Sequence, residues 1–358
     1  MKEKVICGIQ QIGIGVSDVI EALKWYMDHF GFNAIIVDDE GVAERMLPYT
    51  AGKPQPRRAI MAYNLMGGGG FEVWQPKGRD LNYPEFEVKL GDIGIFICKL
   101  KAYNIDDAYN HLKKLNANIL SEPTISPSGQ KHFFLKDPYN NIFQIEEDDY
   151  IFLNQRKPIG GANGAIIGVS DIDKSINFYK HIFDYDTVVY DHIDVFDDLK
   201  AIPGGNRIVR RVLIKRSKPI EGPLSEIMGT SHLELVQCIE DTPKKIFENR
   251  LWGDPGFIHL CFDIRNMNKI EEAAKELGHE FVCDGGRDFD MGDANGHFTY
   301  LEDPDGTLIE SVETLKIPIL KKFGLYLNLT TKDDKKPLPF IITKAMKFKE
   351  VKKSSKLK

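Results

Sequence analysis

The sequence predicts an α+β fold made of two related halves, each carrying two strand–helix–strands units, about four in all. Three echoes carry that prediction. Gln11-Ile12-Gly13-Ile14-Gly15-Val16-Ser17-Asp18 returns as Gly164-Ala165-Ile166-Ile167-Gly168-Val169-Ser170-Asp171, and an amphipathic stretch with an aromatic–tyrosine pair follows each, Trp25-Tyr26 and Phe178-Tyr179. The turn Lys136-Asp137-Pro138-Tyr139-Asn140-Asn141 returns as Glu302-Asp303-Pro304-Asp305-Gly306. Inside each half a strand-then-helix pattern recurs, Asp92-Ile93-Gly94-Ile95-Phe96-Ile97 in the first and His259-Leu260-Cys261-Phe262-Asp263-Ile264 in the second.

Each element has a local cause. Period-two apolar alternation before Ser17-Asp18 and Ser170-Asp171 marks a strand, the aspartate an N-cap, and the helical spacing beyond it an amphipathic helix. Alternate strand residues share a face, so Ile12, Ile14 and Val16 form an apolar side while Gln11, Gly13 and Gly15 form the other. The same split sets Leu260, Phe262 and Ile264 against a helix and turns His259 and Cys261 the opposite way, onto a face where glycines leave room for a ligand. Glu72 and Glu234 occupy matching strands, Phe71-Glu72-Val73-Trp74-Gln75 and Leu233-Glu234-Leu235-Val236-Gln237. Glu310 stands in Leu308-Ile309-Glu310-Ser311-Val312, where a buried carboxylate needs a partner, and a metal is one such partner.

The segment Asn154 to Gly161 has linker composition, so the expected parts are residues 1–153, 154–315 and a Lys-rich extension, 316–358. Lys352 to Lys358 is expected to be a frayed, solvated end, with Pro318 and Phe323 to Leu329 as the part that packs back on the body. Gly67-Gly68-Gly69-Gly70 reads as a flexible hairpin loop, since no Lys-Ser or Lys-Thr follows to make a phosphate cradle.

Composition excludes several classes. With 42% hydrophobic and 28% charged residues in 358, the chain can build two proper cores. A net charge of -6 argues against general nucleic-acid binding. The five cysteines, Cys7, Cys98, Cys238, Cys261 and Cys283, have no CxxC spacing, which fits reduced thiols and neither a disulfide frame nor a thiolate zinc site. There is no apolar h-region at the start and no bilayer-length apolar run, so a cytoplasmic protein without membrane or nucleic-acid partners is expected.

Together the V-S-D strand–helix start with its aromatic–tyrosine pair, the L-E-L strand, the His259 strand and the D-P-D-G-x-x-I-E ending resemble the vicinal oxygen chelate superfamily over about residues 5 to 315. That superfamily includes glyoxalase I, extradiol dioxygenases, methylmalonyl-CoA epimerase and antibiotic-resistance proteins. The resemblance implies four βαβββ modules, two glyoxalase-like domains with curled mixed sheets, and a fused, two-domain glyoxalase I-like member. It also implies ligands: the first-strand position falls on Gln11 and Gly164, the inner Glu on Glu72 and Glu234, the imidazole on Asp92 and His259, and the final Glu on Gln144 and Glu310. Neither half has a full set. Crossed pairing, first module with last, as in glyoxalase I, gives Gln11, Glu72, His259 and Glu310 and leaves Asp92, Gln144, Gly164 and Glu234 as a degenerate second site. His232, two before Glu234, is either a third ligand for an uncrossed site with His259 and Glu310 or a cross-strand surface residue.

One imidazole, two carboxylates and an amide oxygen suit one divalent metal, Zn, Ni, Co, Mn or Fe. The chemistry implied is lyase or isomerase proton transfer beside a carbonyl through an enediolate, on a small 2-oxo or thiol-adduct substrate. Glu310 would be the base and Glu72 would serve the opposite face. Gly15 and Pro76 stand where glyoxalase I places an arginine and an asparagine for glutathione, which speaks against that thiol. The alternatives are an extradiol-type dioxygenase, which needs two histidines, and a non-catalytic small-molecule (antibiotic) binding protein. His259 also reads as a hydrogen-bonded core histidine, Gln11 and Glu72 as exposed edge residues, and His297 as a surface residue beside a hairpin.

Overall fold

The computed structural model describes residues 2–287, 289–290, 295–320 and 325–357. Four βαβββ modules follow one another along the chain. The first holds β1 (Val5–Gly15), α1 (Val19–Phe30), β2 (Ala34–Ala43), β3 (Gln55–Tyr63) and β4 (Gly70–Pro76). The second holds β5 (Gly94–Ala102), α2 (Ile105–Lys114), the short β6 (Asn118–Ile119) and β7 (Thr124–Ile125), then β8 (Lys131–Lys136) and β9 (Ile142–Glu147). In the third come β10 (Ala162–Gly168), α3 (Ile172–Phe183), β11 (Thr187–Asp194), β12 (Val209–Lys215), a short α4 (Ser225–Met228) and β13 (His232–Cys238). The fourth has β14 (Gly256–Arg265), α5 (Met267–Glu276), β15 (Phe281–Asp284), β16 (Phe289–Asp290), β17 (Asn295–Glu302) and β18 (Leu308–Leu320). After it come β19 (Leu325–Asn328) and α6 (Phe340–Lys344).

Two curled mixed sheets result, and each draws on both halves of the chain. One runs β15-β17-β18-β14-β1-β4-β3-β2, joining the fourth module to the first; the other runs β11-β12-β13-β10-β5-β9-β8-β6, joining the third to the second. The boundary expected at residue 153 therefore separates the sequence repeats, not the sheets, and β18 runs through the boundary expected at 315. The seam of the first sheet is antiparallel, from Val5↔Arg265 to Gly15↔Gly256, while β1 and β4 are parallel.

Within each half, the helices tie one sheet to the other. Asp18 caps α1 by accepting from Ile20 N and Glu21 N, and Gly31, at φ 79°, ends the helix in the left-handed conformation. The buried Tyr26 then donates its hydroxyl to Asp137 Oδ2 at 2.6 Å, and Tyr179 of α3 does the same to Asp303 Oδ2 at 3.1 Å. Burial pushes both aspartates up to about 6, while each also accepts backbone N–H groups of its own turn. The aromatic–tyrosine pairs and the Asp-Pro turns of the repeat are thus two ends of one contact, linking a helix of one sheet to a turn of the other.

Two expectations are corrected here. The glycine run is a buried seam rather than a flexible loop: Gly69 N donates to Ala162 O at 2.6 Å, Gly161 N to Gly67 O at 2.8 Å, and Gly68 N to Ile227 O at 2.9 Å. The tail is not frayed over the part described. Val351 N donates to Asn33 O at 2.8 Å, Gln155 Nε2 to Glu350 Oε1 at 2.7 Å, and Ser354 Oγ to Asp28 Oδ2 at 2.8 Å. Leu329 does pack back, with its N–H on Leu315 O at 2.8 Å, whereas Phe323 lies outside the described residues. Among the described residues no helix is long and apolar enough to cross a membrane.

A β-carbon on Gly68, at φ +114°, would lie 2.5 Å from the Gly161 carbonyl carbon, whereas one on Gly78, at φ +75°, would meet nothing within 4 Å. Gly68→Ala is therefore expected to cost about 3 kcal/mol or more in urea unfolding and Gly78→Ala only about 1 kcal/mol; equal costs would contradict the seam.

Candidate metal centre

Four adjacent strands of the first sheet, β18, β14, β1 and β4, each turn one polar side chain to the same concave face: Glu310, His259, Gln11 and Glu72. Register sets their heights. Gly13 is paired with His259 on one side and with Glu72 on the other, and Cys261 with Gln11 and Glu310. The His259 ring lies across Gly13, where a β-carbon would stand 2.3 Å from its Cε1, so the glycine is what lets the imidazole lie flat over β1.

The four side chains meet. His259 Nε2 lies 3.3 Å from Glu72 Oε2 and 3.3 Å from Glu310 Oε2, and Gln11 Nε2 donates to Glu310 Oε2 at 3.1 Å. Both imidazole nitrogens nevertheless lack a well-directed hydrogen bond, as does Gln11 Oε1. His259 is fully buried, and the Glu72, His259 and Glu310 donor atoms all fall within 4.8 Å of one another. Burial pushes Glu310 up to about 7 even against the attraction of His259, with the Glu72 charge adding to the rise. Burial also opposes a charged imidazole, but Glu310 and Glu72 together raise His259 above its usual value. Two carboxylates converging on a single imidazole nitrogen, with orphaned acceptors beside them, are short of positive charge and of ligand-directed geometry. One divalent cation held by Glu72, His259 and Glu310, with Gln11 Oε1 as a further donor, would answer both needs, and this mixed N/O donor set suits one.

The second sheet repeats the arrangement with its chemistry removed. Its corresponding strands are β9, β5, β10 and β13, which place Gln144, Gly164 and Glu234 at the matching positions. Asp92, expected at the imidazole position, is corrected: it precedes β5 and caps the backbone, accepting from Lys89 N at 2.8 Å and Lys244 N at 3.0 Å. A β-carbon on Gly168 would strike the Asp92 carbonyl just as one on Gly15 would strike that of Asp254. Asp92 therefore matches Asp254, and equal steps along β5 and β14 set Ile97 opposite His259. Side-chain cations fill this centre instead. Lys99 Nζ lies 2.6 Å from Glu234 Oε2 and 3.2 Å from Glu146 Oε2, and Arg211 Nε donates to Glu234 Oε1. Against the effect of burial, His232 and Lys99 hold Glu146 down at about 2, and the two carboxylates hold Lys99 above its ordinary value. His232 belongs here, 2.7 Å from Glu146 Oε1, so it makes no uncrossed site with His259. His297 pairs with Asp284 at 2.6 Å, on the face of β17 opposite Phe298 and Tyr300.

A cavity of about 270 Å³ opens from the candidate centre, lined in part by Trp74, Trp252, Phe298 and Tyr300. None of these was singled out from the sequence. Trp74 is readable as the next residue after Glu72 on its face, and Tyr300 by counting back from the Asp303 turn, which pairs it with Glu310. Trp252 sits in a segment with no periodicity, and only folding places it.

Against known proteins, the sequence model of the Glyoxalase/Bleomycin resistance protein/Dioxygenase superfamily matches residues 8–145 and 161–311, and the chain belongs to that superfamily. Its members commonly depend on a divalent metal. No curated protein matches the sequence. Among solved structures the chain is similar to glyoxalase I from Zea mays, with 15% identity over 87% of this chain and 92% of that one and a TM-score of 0.51. It is also similar to a protein provisionally named a dioxygenase from Bacillus subtilis, with 12% identity over 87% and 86% of the two chains and a TM-score of 0.53. At these identities the likeness is one of fold.

Because the imidazole rests on Gly13, Gly13→Ala is expected to weaken divalent-metal binding about 10–100-fold in calorimetric titration while the far-ultraviolet circular dichroism stays native. Unchanged affinity would contradict the role given to that glycine.

Proposed function

We propose that this protein is a metal-dependent lyase or isomerase of glyoxalase type, moving a proton on the carbon beside a carbonyl of a small 2-oxo or thiol-adduct substrate. The observation that carries this reading is the convergence of Glu72 and Glu310, 3.3 Å each, on Nε2 of His259. When bound, one divalent cation would supply Lewis-acid stabilisation of the negative charge that develops on the substrate oxygens as an enediolate forms.

The chain's own residues do the rest. Glu310 takes the proton from the substrate carbon, and Glu72, across the site, returns one from the opposite face. Gln11 orients Glu310 through its amide at 3.1 Å, and Tyr300, paired with Glu310 across the hairpin, walls the site beside it. Trp74, Trp252, Phe298 and Tyr300 line part of the cavity beside the two acids. A glutathione adduct is disfavoured: at Gly15 a side chain would collide with the Asp254 carbonyl, so no arginine clamp stands there. A dioxygenase would need a second histidine ligand; among the described residues the acid cluster holds His259 alone, and His232 and His132 are engaged in the other sheet.

Purified protein is expected to hold about one divalent ion per chain by elemental analysis, and His259→Ala or Glu310→Ala to remove it. Metal-dependent turnover of a hemithioacetal without oxygen uptake supports the reading. Oxygen uptake on catechols, or ligand binding by a metal-free protein, would replace it with the dioxygenase or the binding-protein alternative.

A further inference from the structure

Near the end of the chain, a segment packed on the first module carries apolar side chains on its outer side as well as its inner one. α6 (Phe340–Lys344) runs directly into a 3-10 turn, Ala345–Lys349, so that the two make one short helical rod. The inner side is occupied by the fold. Thr343 is buried, with its hydroxyl on Phe340 O at 3.1 Å, and Met346 packs on the cluster of Ala34, Met61 and Tyr63. Just beyond the rod, Glu350 forms a β-bridge with Ala34 and accepts from Gln155 Nε2 at 2.7 Å, and Val351 N donates to Asn33 O at 2.8 Å. These contacts fix the rod on the body and so decide which side faces outward.

The outward side is both apolar and basic. Ile341 is 79% exposed and Phe348 92%, and with the exposed Ala345 between them they stand at i, i+4 and i+7, one stripe of a helix. At about 100° per residue, Lys344 and Lys349 fall on either side of that stripe, whereas Thr343, Met346 and Glu350 fall opposite it, as their burial shows. Two large apolar side chains held in water add nothing to the core. Residues 335–358 hold nine lysines and a single acid, Glu350, in a chain whose net charge is -6. That acid is turned inward, to Lys157 at 3.7 Å, so it does not neutralise the outer side.

A nucleic acid would meet the lysines through its phosphates but leave Ile341 and Phe348 in water. An anionic bilayer takes both: its headgroups attract the ammonium groups, and the boundary with the acyl chains accepts the apolar stripe. Lying in the headgroup layer needs no bilayer-length apolar run, so the expectation of no membrane partner, drawn from the lack of such a run, does not bear on this face.

We propose that the outward face of residues 340–353 is a reversible docking surface for an anionic lipid bilayer, with Ile341 and Phe348 entering the layer between the lysines. The proposal is independent of the metal centre.

The test sediments the full-length protein with vesicles of phosphatidylcholine alone, or of phosphatidylcholine with about 30 mol % phosphatidylserine, at about 0.1 M salt. Partition onto the serine-lipid vesicles is expected to exceed that onto neutral ones about tenfold or more, and to fall about tenfold by about 0.5 M salt. Ile341→Ser with Phe348→Ser should lower the partition about tenfold or more while the far-ultraviolet circular dichroism stays native, since both side chains already lie in water. Lys344→Gln with Lys347→Gln should lower it about tenfold or more as well. Equal partition onto the two kinds of vesicle, or none onto either, overturns the proposal. So does a serine double variant that binds as well as the unmodified protein, which would leave charge attraction without a role for the stripe. Retention on a DNA duplex with none on the vesicles would overturn it in favour of a nucleic-acid surface.

Discussion

The antiparallel pairing of β1 with β14 is the interaction on which the rest depends. It joins residues 5–15 to residues 256–265, and so makes neighbours of side chains that the sequence separates by most of its length. Without it Glu72 and Gln11 would belong to one unit and His259 and Glu310 to another. The backbone bonds of that seam are shielded by a fully buried β1, so the site rests on rigid structure rather than on loops. Loop closure over so long a chain is entropically expensive, and the paired tyrosine–aspartate contacts at Tyr26 and Tyr179 help by holding each half together while the strands cross between halves.

The two sheets show how one scaffold can carry a centre and its negative. In the first, three charged or ionisable groups meet with no fixed cation among them. In the second, the Lys99 ammonium sits between Glu146 and Glu234, with Arg211 behind, and the imidazole position is Ile97. Electrostatics makes these alternatives: buried carboxylates must be neutralised, and a covalently attached ammonium does so permanently where an exchangeable ion does so only when bound. The ammonium leaves no coordination position for a substrate, whereas the first site keeps a cavity open beside its acids.

Much of this was legible because strand periodicity and turn geometry are local. The V-S-D starts, the aromatic–tyrosine pairs and the Asp-Pro turns sit at fixed offsets, so counting along each strand tells which face carries Gln11, Glu72, His259 and Glu310, while the crossed pairing that makes their strands neighbours is what the resemblance to glyoxalase I implies. What could not be read is non-local. Gly67 to Gly70 resembles any flexible loop until Gly161 is packed against it. The Lys-rich tail has the composition of a solvated end, but Val351 and Ser354 find partners on the first module. Asp92 was aligned with His259 by its place at the head of an apolar run, while the close approach that sets true register, Gly168 against the Asp92 carbonyl, exists only in three dimensions. Trp252 follows no periodicity at all, and its position depends on Arg79 and Asp254.

X-ray diffraction from metal-loaded crystals at the ion's absorption edge tests the central claim most directly. The account predicts one anomalous peak per chain in the first sheet, about 2.0–2.2 Å from His259 Nε2 and from a carboxylate oxygen of each of Glu72 and Glu310. A peak held elsewhere, or a metal-bearing crystal with His259 Nε2 hydrogen-bonded and the three side chains apart, would contradict it.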